Sequence, residues 1–345
     1  MSDPLATAFL IQATACREFG AAFYAGLCEA AATDLAPPVR RLFAPWEAAA
    51  PRTLVTDAVA LRFLGALNDL VLDGGDQGLA AAYPPATDPA IAWRAVRAAI
   101  DAHAPRIEAF MGHEPQTNEV RRSACLLPGF LTIAAETGLP LRCFELGASA
   151  GLNQLWPQFR YDYGAAGAWG DPASPLTLNA EWRGAPGPLA TTVRVIESQA
   201  CDRKPIRLAD PAQQRRLLAY VWPDQPERVS RIRTAIDMAL AAGVEVETAE
   251  ALDWVRRIAP QAGAATVIFH SVFWQYMPEA VQADARAAVE LLGASASADA
   301  PLAWLTMEPA GGLAPMELRL RLWPGGEDRR LAVVQAHGAW LDWGA

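Results

Sequence analysis

The chain has 345 residues, 52% of them hydrophobic and 19% charged, which excludes wholesale disorder and allows a large buried core. A formal net charge of -9, with basic residues paired only briefly as at Arg215–Arg216 and Arg329–Arg330, argues against a partner with a nucleic-acid backbone. The five cysteines include no Cys-x-x-Cys pair and their number is odd, so neither a metal site nor a disulfide framework is expected, and buried thiols are.

The start of the sequence lacks the basic-then-apolar pattern of a signal peptide, and no apolar run reaches the roughly 18 residues of a membrane span. A cytoplasmic protein without membrane contact is therefore expected. From Pro4 to about Glu136 the pattern is helical. Phe9, Cys16, Phe19, Phe23 and Leu27 share a helix-like spacing, Val59–Leu72 and Ile91–Phe110 give further helices, and Gly74-Gly75 and Pro84-Pro85 interrupt them. Glu119–Ala135 is a helix with a kink at Pro128, stopped by Gly138 with Pro140 beyond. Residues 1–116 form a helical N-terminal domain or cap on this reading, and residues 117–345 a second domain.

After Pro140 strands alternate with helices. Leu141–Leu146 is the first strand, followed by a small-residue loop. Residues 157–190, rich in Gly, Pro, Trp and Tyr, read as an insertion whose short antiparallel strands join the sheet as a β-hairpin region. Strands are expected at Thr192–Ile196, Val244–Val246, Ala265–Phe273 and Pro301–Met307, with helices at Pro211–Trp222, Pro226–Ala242, Ala249–Ile258 and Pro278–Leu292. Leu318–Leu322 and Arg330–Ala336 flank Pro324-Gly325-Gly326 as a terminal hairpin. This alternation predicts an α/β fold, a Rossmann-like, mainly parallel sheet with helices on both faces. Ligands of such sheets bind outside the carboxyl ends of the strands, where the strand order reverses.

The loop Glu145-Leu146-Gly147-Ala148-Ser149-Ala150-Gly151 allows more than one reading. Gly147 and Gly151 permit positive φ and a close backbone approach. Glu145 puts a carboxylate at the pocket rim, which suits a cationic cofactor such as S-adenosylmethionine and would repel a pyrophosphate. The dinucleotide pattern Gly-x-Gly-x-x-Gly is unmatched, because Ser149 and Leu152 stand at its second and third glycines. The same residues also satisfy Gly-x-Ser-x-Gly, so a serine hydrolase using Ser149, with His337 or His270 downstream and Asp253 or Asp328 as the acid, is an alternative. A tight turn of small residues in a non-catalytic module is the third.

Several segments together resemble one family. They are Thr117–Ser123, Glu145–Asn153, Tyr161–Tyr163, Trp169–Pro172, Cys201-Asp202 with Pro205, Val221–Gln225, Phe269–Tyr276 and His337-Gly338. The chain resembles an uncharacterised bacterial domain-of-unknown-function family whose members are described as methyltransferase-like. The resemblance covers most of the chain and implies a methyltransferase-like Rossmann domain behind the helical region. Carried over residue by residue, the general methyltransferase pattern puts Glu145, Gly147, Ser149 and Gly151 on the methionine part of S-adenosylmethionine. It puts Asp202, with Glu197 as second choice, on the ribose, and Asp253 near the adenine amino group. Asp202 lies 55 positions beyond Gly147 (202 minus 147), and the 157–190 insertion has to absorb that length.

Candidates for chemistry follow from position. His270 and Tyr276 lie at the end of the fourth strand, where a histidine could take a proton from an acceptor. Glu308 is a rim acid at the end of the fifth. Asn118, Glu119 and Arg122 open the helix leading into the first strand, and His337 near the C-terminus could line the same rim. Together these predict methyl transfer to a small-molecule substrate.

Overall fold

The computed structural model describes residues 3–85, 88–311 and 315–345. The first part of the chain is helical: α1 (Pro4–Glu18), α2 (Ala22–Thr33), α3 (Pro37–Arg41), α4 (Pro51–Thr56), α5 (Val59–Leu72), α6 (Gln77–Ala81) and α7 (Pro89–Met111). Aspartates start three of these helices by accepting from otherwise unpaired N–H groups: Asp3 from Leu5 N, Asp76 from Leu79 N and Asp88 from Ala90 N. Proline follows Asp3 and Asp88 at the first helical position, where its missing N–H costs nothing. Phe9 packs edge-on against Phe43 and Phe63, with ring centroids 5.6 and 5.9 Å apart, at the centre of this core.

Next come α8 (Ser123–Thr137), β1 (Leu141–Leu146), β2 (Arg160–Asp162), β3 (Ala168–Trp169), β4 (Thr177–Asn179), β5 (Glu181–Gly184), β6 (Val195–Asp202), α9 (Pro211–Ala219), α10 (Pro226–Ala242), β7 (Glu247–Thr248), α11 (Ala251–Val255), β8 (Ala265–Ser271), α12 (Glu279–Ala294), β9 (Leu302–Pro309), β10 (Met316–Trp323), β11 (Glu327–Val334) and β12 (Trp340–Trp343). Among the described residues nine strands form one sheet, in the order β5-β12-β11-β10-β9-β8-β1-β6-β7. β7, β6, β1, β8 and β9 are parallel neighbours. β10, β11 and β12 continue antiparallel, and β5 closes the far edge parallel to β12. The protein is thus a mixed α/β structure with a large, mostly parallel central sheet. The chain fills one side of β1 with β6 and β7, then crosses to the other side for β8 and β9, so the strand order reverses at β1 and β8.

Three expectations change. The 157–190 segment does not add a hairpin to the main sheet: β2, β3 and β4 form a small sheet of their own, β3 antiparallel and β4 parallel to β2. Side chains, not a backbone ladder, fix it in place: the Tyr161 hydroxyl donates to Trp156 O at 2.8 Å and the Tyr163 hydroxyl to Ala124 O at 2.7 Å. Only β5, from the end of the insertion, reaches the main sheet. Val244–Val246 is not a strand; Val244 and Val246 pack onto Gly151, and pairing with β6 starts one residue later, at Glu247. The second core strand runs from Val195 to Asp202, well beyond Ile196, which places Asp202 at its carboxyl end.

The residues divide into two compact units, Met1–Thr117 with Ala209–Arg233, and Asn118–Leu208 with Thr234–Ala345. The division at Thr117 lies beside the one read from sequence, while residues 209–233 group with the helical part. The cause is polar as well as apolar. The Asn68 amide donates to Ala219 O and Val221 O, and the buried Asp69 carboxylate takes Arg106 and Arg215 together. All five cysteines are buried free thiols. No described helix is long and apolar enough to cross a membrane.

Within the sheet unit α8 lies close on β9. Phe130 stacks on Trp156 with centroids 4.2 Å apart, and Gly129 meets Leu305. A Cβ at Gly129 would come within 2.4 Å of Leu305 Cδ1. Gly129→Ala is therefore expected to destabilise by about 1–3 kcal/mol through overpacking, read as a lower urea midpoint with an unchanged slope. An unchanged midpoint would show that Leu305 has room to move.

Candidate functional site

β1 ends at Leu146, and the chain leaves it through three left-handed residues, Gly147 (φ 64°), Ser149 (φ 55°) and Gly151 (φ 74°). Glycine takes this backbone freely, whereas serine does so at a cost of about 1–2 kcal/mol. Ser149 is held there by neighbours from the end of β6. Ser149 N donates to Asp202 Oδ2 at 2.9 Å, Ile206 N donates to Ser149 O at 3.1 Å, and Ala148 N donates to Cys201 O at 3.0 Å. Asp202 Oδ1 also accepts from Lys204 N at 2.8 Å, so one carboxylate organises both loops. After the loop, Leu152–Gln158 is a 3₁₀ segment containing Pro157, and its first N–H, from Leu152, is taken by Asn118 Oδ1 at 2.8 Å.

A buried polar group lies under this loop. Ser123 Oγ donates to Asn153 Oδ1 at 2.8 Å, which leaves the Asn153 amide to donate to Glu145. Glu145 is buried, and desolvation pushes its carboxyl up to about 8. The Asn153 hydrogen bond and the Arg122 charge pull it down, while the Asp202 charge adds to the rise. Among the described residues neither Glu145 Oε2 nor Ser149 Oγ has a hydrogen-bond partner. Arg122 Nε donates to Ala336 O at 3.0 Å, and Gly338 packs on the Arg121 carbonyl. The His337 segment is thereby brought against the Asn118–Arg122 segment; His337 N itself donates to Gln335 Oε1. Glu119 is buried and accepts from Arg121 N.

A second polar group sits at the ends of β8 and β9. Glu308 Oε1 lies 2.6 Å from His270 Nδ1 and accepts from Phe273 N at 2.9 Å and Trp274 N at 3.2 Å. Trp304 Nε1 lies 3.1 Å from His270 Nε2. An indole N–H only donates, so Nε2 is the acceptor nitrogen and Nδ1 carries the proton given to Glu308. Both ring nitrogens of the buried His270 are committed. This corrects the expectation of a proton-accepting His270, because no lone pair is left for a substrate.

Of the residues expected at the site, the structure gathers Glu145, Gly147, Ser149, Gly151 and Asp202 at one loop pair. Asn118, Glu119, Arg122 and His337 lie on the segments packed beside it. Asp253 is not among them: its side chain is 73% exposed on α11, 3.5 Å from Arg256 in an i,i+3 pair, so water and a neighbouring arginine satisfy it. Tyr276 is likewise 70% exposed and does not enter the polar centre. Glu197 pairs with Arg142 at 2.5 Å in a cavity of about 550 Å³ lined also by Phe144, Glu247, Trp254 and Arg257. The hydrolase alternative loses its base, because Ser149 Oγ is hydrogen-bonded to nothing among the described residues. No group of three or more His, Cys, Asp and Glu among the described residues is placed to hold a metal ion. Sequence reasoning gave no role to Asn153, although it lies within the loop motif, and missed Phe273 and Trp304. An asparagine directly after a glycine-rich loop was the available signal for the first; for the aromatics there was none.

Fold and site together define a mixed α/β protein that gathers buried polar groups at the carboxyl edge of its parallel strands, beside the strand-order reversal. The chain belongs to the family described as an uncharacterized protein conserved in bacteria, DUF2332, which matches residues 6–343. Comparison with curated proteins and comparison with solved structures each find no match.

Glu145 makes the site's main pH-dependent contribution. Its folded value, about 8, lies above the ordinary 4.5, so the native state keeps a proton that the unfolded chain releases between those limits. Its cost to stability is therefore absent below the lower limit, grows as pH rises, and is complete above about 8. Glu145→Gln is expected to match the parent at about pH 5 and to gain on it by pH 8, by up to about 4 kcal/mol at roughly 1.4 kcal/mol per unit. Urea titrations at the two pH values measure this, and a constant difference between the proteins would contradict it.

Proposed function

We propose that the protein binds S-adenosylmethionine at the loop after β1 and transfers its methyl group to a small-molecule acceptor. The observation that carries the reading is the Gly147–Gly151 turn at the strand-order reversal, tied by Ser149 N to Asp202 at the end of the adjacent strand. This is where ligands of doubly wound parallel sheets bind.

The donor set suits the cofactor's charge. Glu145 Oε2 and Ser149 Oγ are polar atoms without partners among the described residues. The Asp202 carboxylate and the buried Glu145 carboxyl, which releases its proton more readily beside a cation, favour a ligand carrying ammonium and sulfonium groups over a pyrophosphate. Asp202 uses one lone pair of each oxygen on backbone N–H groups, and a carboxylate keeps acceptor capacity for ribose hydroxyls beyond that. Glu145 and Ser149 would hold the amino-acid end. When bound, the group supplies an activated methyl for in-line displacement, and this chain's residues contribute positioning. Glu308 fixes the Phe273–Trp274 backbone at the adjacent strand ends, shaping the acceptor side. A hydrolase reading finds no activated serine here, and with His270 committed to Glu308 and Trp304 the reaction draws on no histidine base at this position.

Calorimetry with S-adenosylmethionine, S-adenosylhomocysteine and NAD is expected to give saturable micromolar binding of the first two alone. Asp202→Asn keeps the shape of the side chain but loses an acceptor, and is expected to weaken binding at least about tenfold, a loss of about 1.4 kcal/mol. Equal binding of NAD, or full affinity in folded Asp202→Asn, would sink the assignment. Binding without turnover over a broad acceptor panel would leave a cofactor-binding module instead.

A further inference from the structure

We infer that Phe273 and Glu308 form a latch over the loop after β1, with Phe273 as the plug that covers Gly147 and Glu308 as the catch that holds it shut. What the latch excludes rests on the proposed ligand site; that it closes over the loop rests on geometry alone.

The plug is defined by contact. A Cβ built on Gly147 would lie 2.0 Å from Phe273 Cδ2, with two further ring atoms within 2.7 Å. The ring therefore lies directly on the glycine's backbone, on the surface that positive φ leaves open. Any ligand that approaches the Gly147 backbone closely needs the same space.

The catch is a single oxygen. Glu308 Oε1 holds Phe273 N and Trp274 N and also pairs with His270 Nδ1. His270 is oriented in turn by the Trp304 N–H and stacks on Trp274 with centroids 5.0 Å apart. The segment is thus fastened through its backbone, and the fastening is partly buried.

Closure works against opposing terms. Val272, immediately before the plug, has φ 52°, a left-handed conformation that a β-branched side chain resists at a cost of roughly 1–3 kcal/mol. Val272 N is bonded to Met307 O at 2.9 Å, which anchors the start of the segment at the sheet end. The same loop keeps Glu145 Oε2 and Ser149 Oγ without partners among the described residues, a penalty that a suitable ligand would remove. Charge-assisted hydrogen bonds to Glu308 offset these terms in the closed state. A ligand that seats on the Gly147 backbone shifts the balance towards release of Phe273, by as much as its affinities for the two states differ.

The test combines hydrogen exchange with calorimetry on the full chain. Phe273→Ala and Glu308→Gln are each expected to speed amide exchange of residues 147–151 about tenfold or more, leaving the interior of β1 and β9 unchanged. In Glu308→Gln, residues 272–274 should speed up in parallel. Phe273→Leu, which keeps an apolar plug, should fall between parent and alanine, and it guards against general unfolding. Unchanged exchange at 147–151 in both variants would overturn the latch. In the ligand arm Phe273→Ala is expected to bind S-adenosylhomocysteine about tenfold tighter than the parent, since it no longer has to expel the ring. Equal measurable affinity in parent and variant would overturn the latch as a control on entry. Coupled exchange with no binding by either protein would uphold the latch and remove the cofactor reading.

Discussion

The 2.9 Å hydrogen bond from Ser149 N to Asp202 Oδ2 is the contact on which the site depends. β1 and β6 are parallel neighbours, so their chains leave the sheet at the same edge and must turn away side by side. The turn after β1 places a serine in the left-handed region, at a cost of about 1–2 kcal/mol. A hydrogen bond to a charged acceptor contributes about 1.5–3 kcal/mol, enough to decide the conformation. Because Asp202 also holds Lys204 N, the two loops are set as one piece, and the 3₁₀ segment that follows inherits its direction from Gly151 and from Asn118.

The two polar groups at this edge are built on different physics. Under the loop, Glu145 is desolvated and only partly compensated by Asn153 and Arg122, so its proton is retained near neutrality and one oxygen stays without a partner among the described residues. At β8 and β9, Glu308 collects three hydrogen bonds on one oxygen, and His270 uses both of its nitrogens. The first arrangement holds unmet hydrogen-bonding capacity, which is what a ligand can use. The second also keeps Glu308 Oε2 without a partner among the described residues, but with three bonds on its other oxygen and both His270 nitrogens engaged it acts as a brace. The sequence shows a histidine and an acid at strand ends in either case, and burial with partner count is what separates a reactive pair from a structural one.

Much of the sheet was legible because its signals are local. Leu141–Leu146 is a short strand between Pro140 and a glycine, Ala265–His270 is buried throughout and mostly apolar, and Gly138 ends α8 in the left-handed conformation its position implies. The loop after β1 was legible for the same reason, since glycine spacing encodes backbone freedom. Features decided by distant partners were not. Val244 and Val246 have the composition of a strand, but their side chains are taken by Gly151 and the ladder starts at Glu247. β12 reaches the sheet edge through pairing with β11 and β5, β5 itself coming from some 155 residues earlier in the chain. Residues 209–233 read as a crossover of the sheet domain, yet their contacts run to Asn68 and Asp69. Asp253 was chosen for its place after a strand, and nothing in its spacing reveals that α11 turns it to solvent.

Register sets the two polar groups at one edge of the sheet, on opposite faces. Glu145 lies opposite Phe269 on β8, so His270 arrives one residue beyond it, and β9 sets Thr306 opposite His270 with Glu308 two residues further on. In parallel strands successive residues point to alternate faces, so this register fixes which side chains emerge at the shared edge. The chain beyond Ser271 must then cross the end of β1. Val272 N, bonded to Met307 O, starts the crossing, and Phe273 completes it on Gly147, the residue there without a side chain. Gly147 therefore serves two demands at once: it lets the loop turn, and it leaves the surface on which the aromatic ring rests. A larger residue would meet the ring before any ligand could, which ties the conformational freedom of one glycine to the closure of the whole edge.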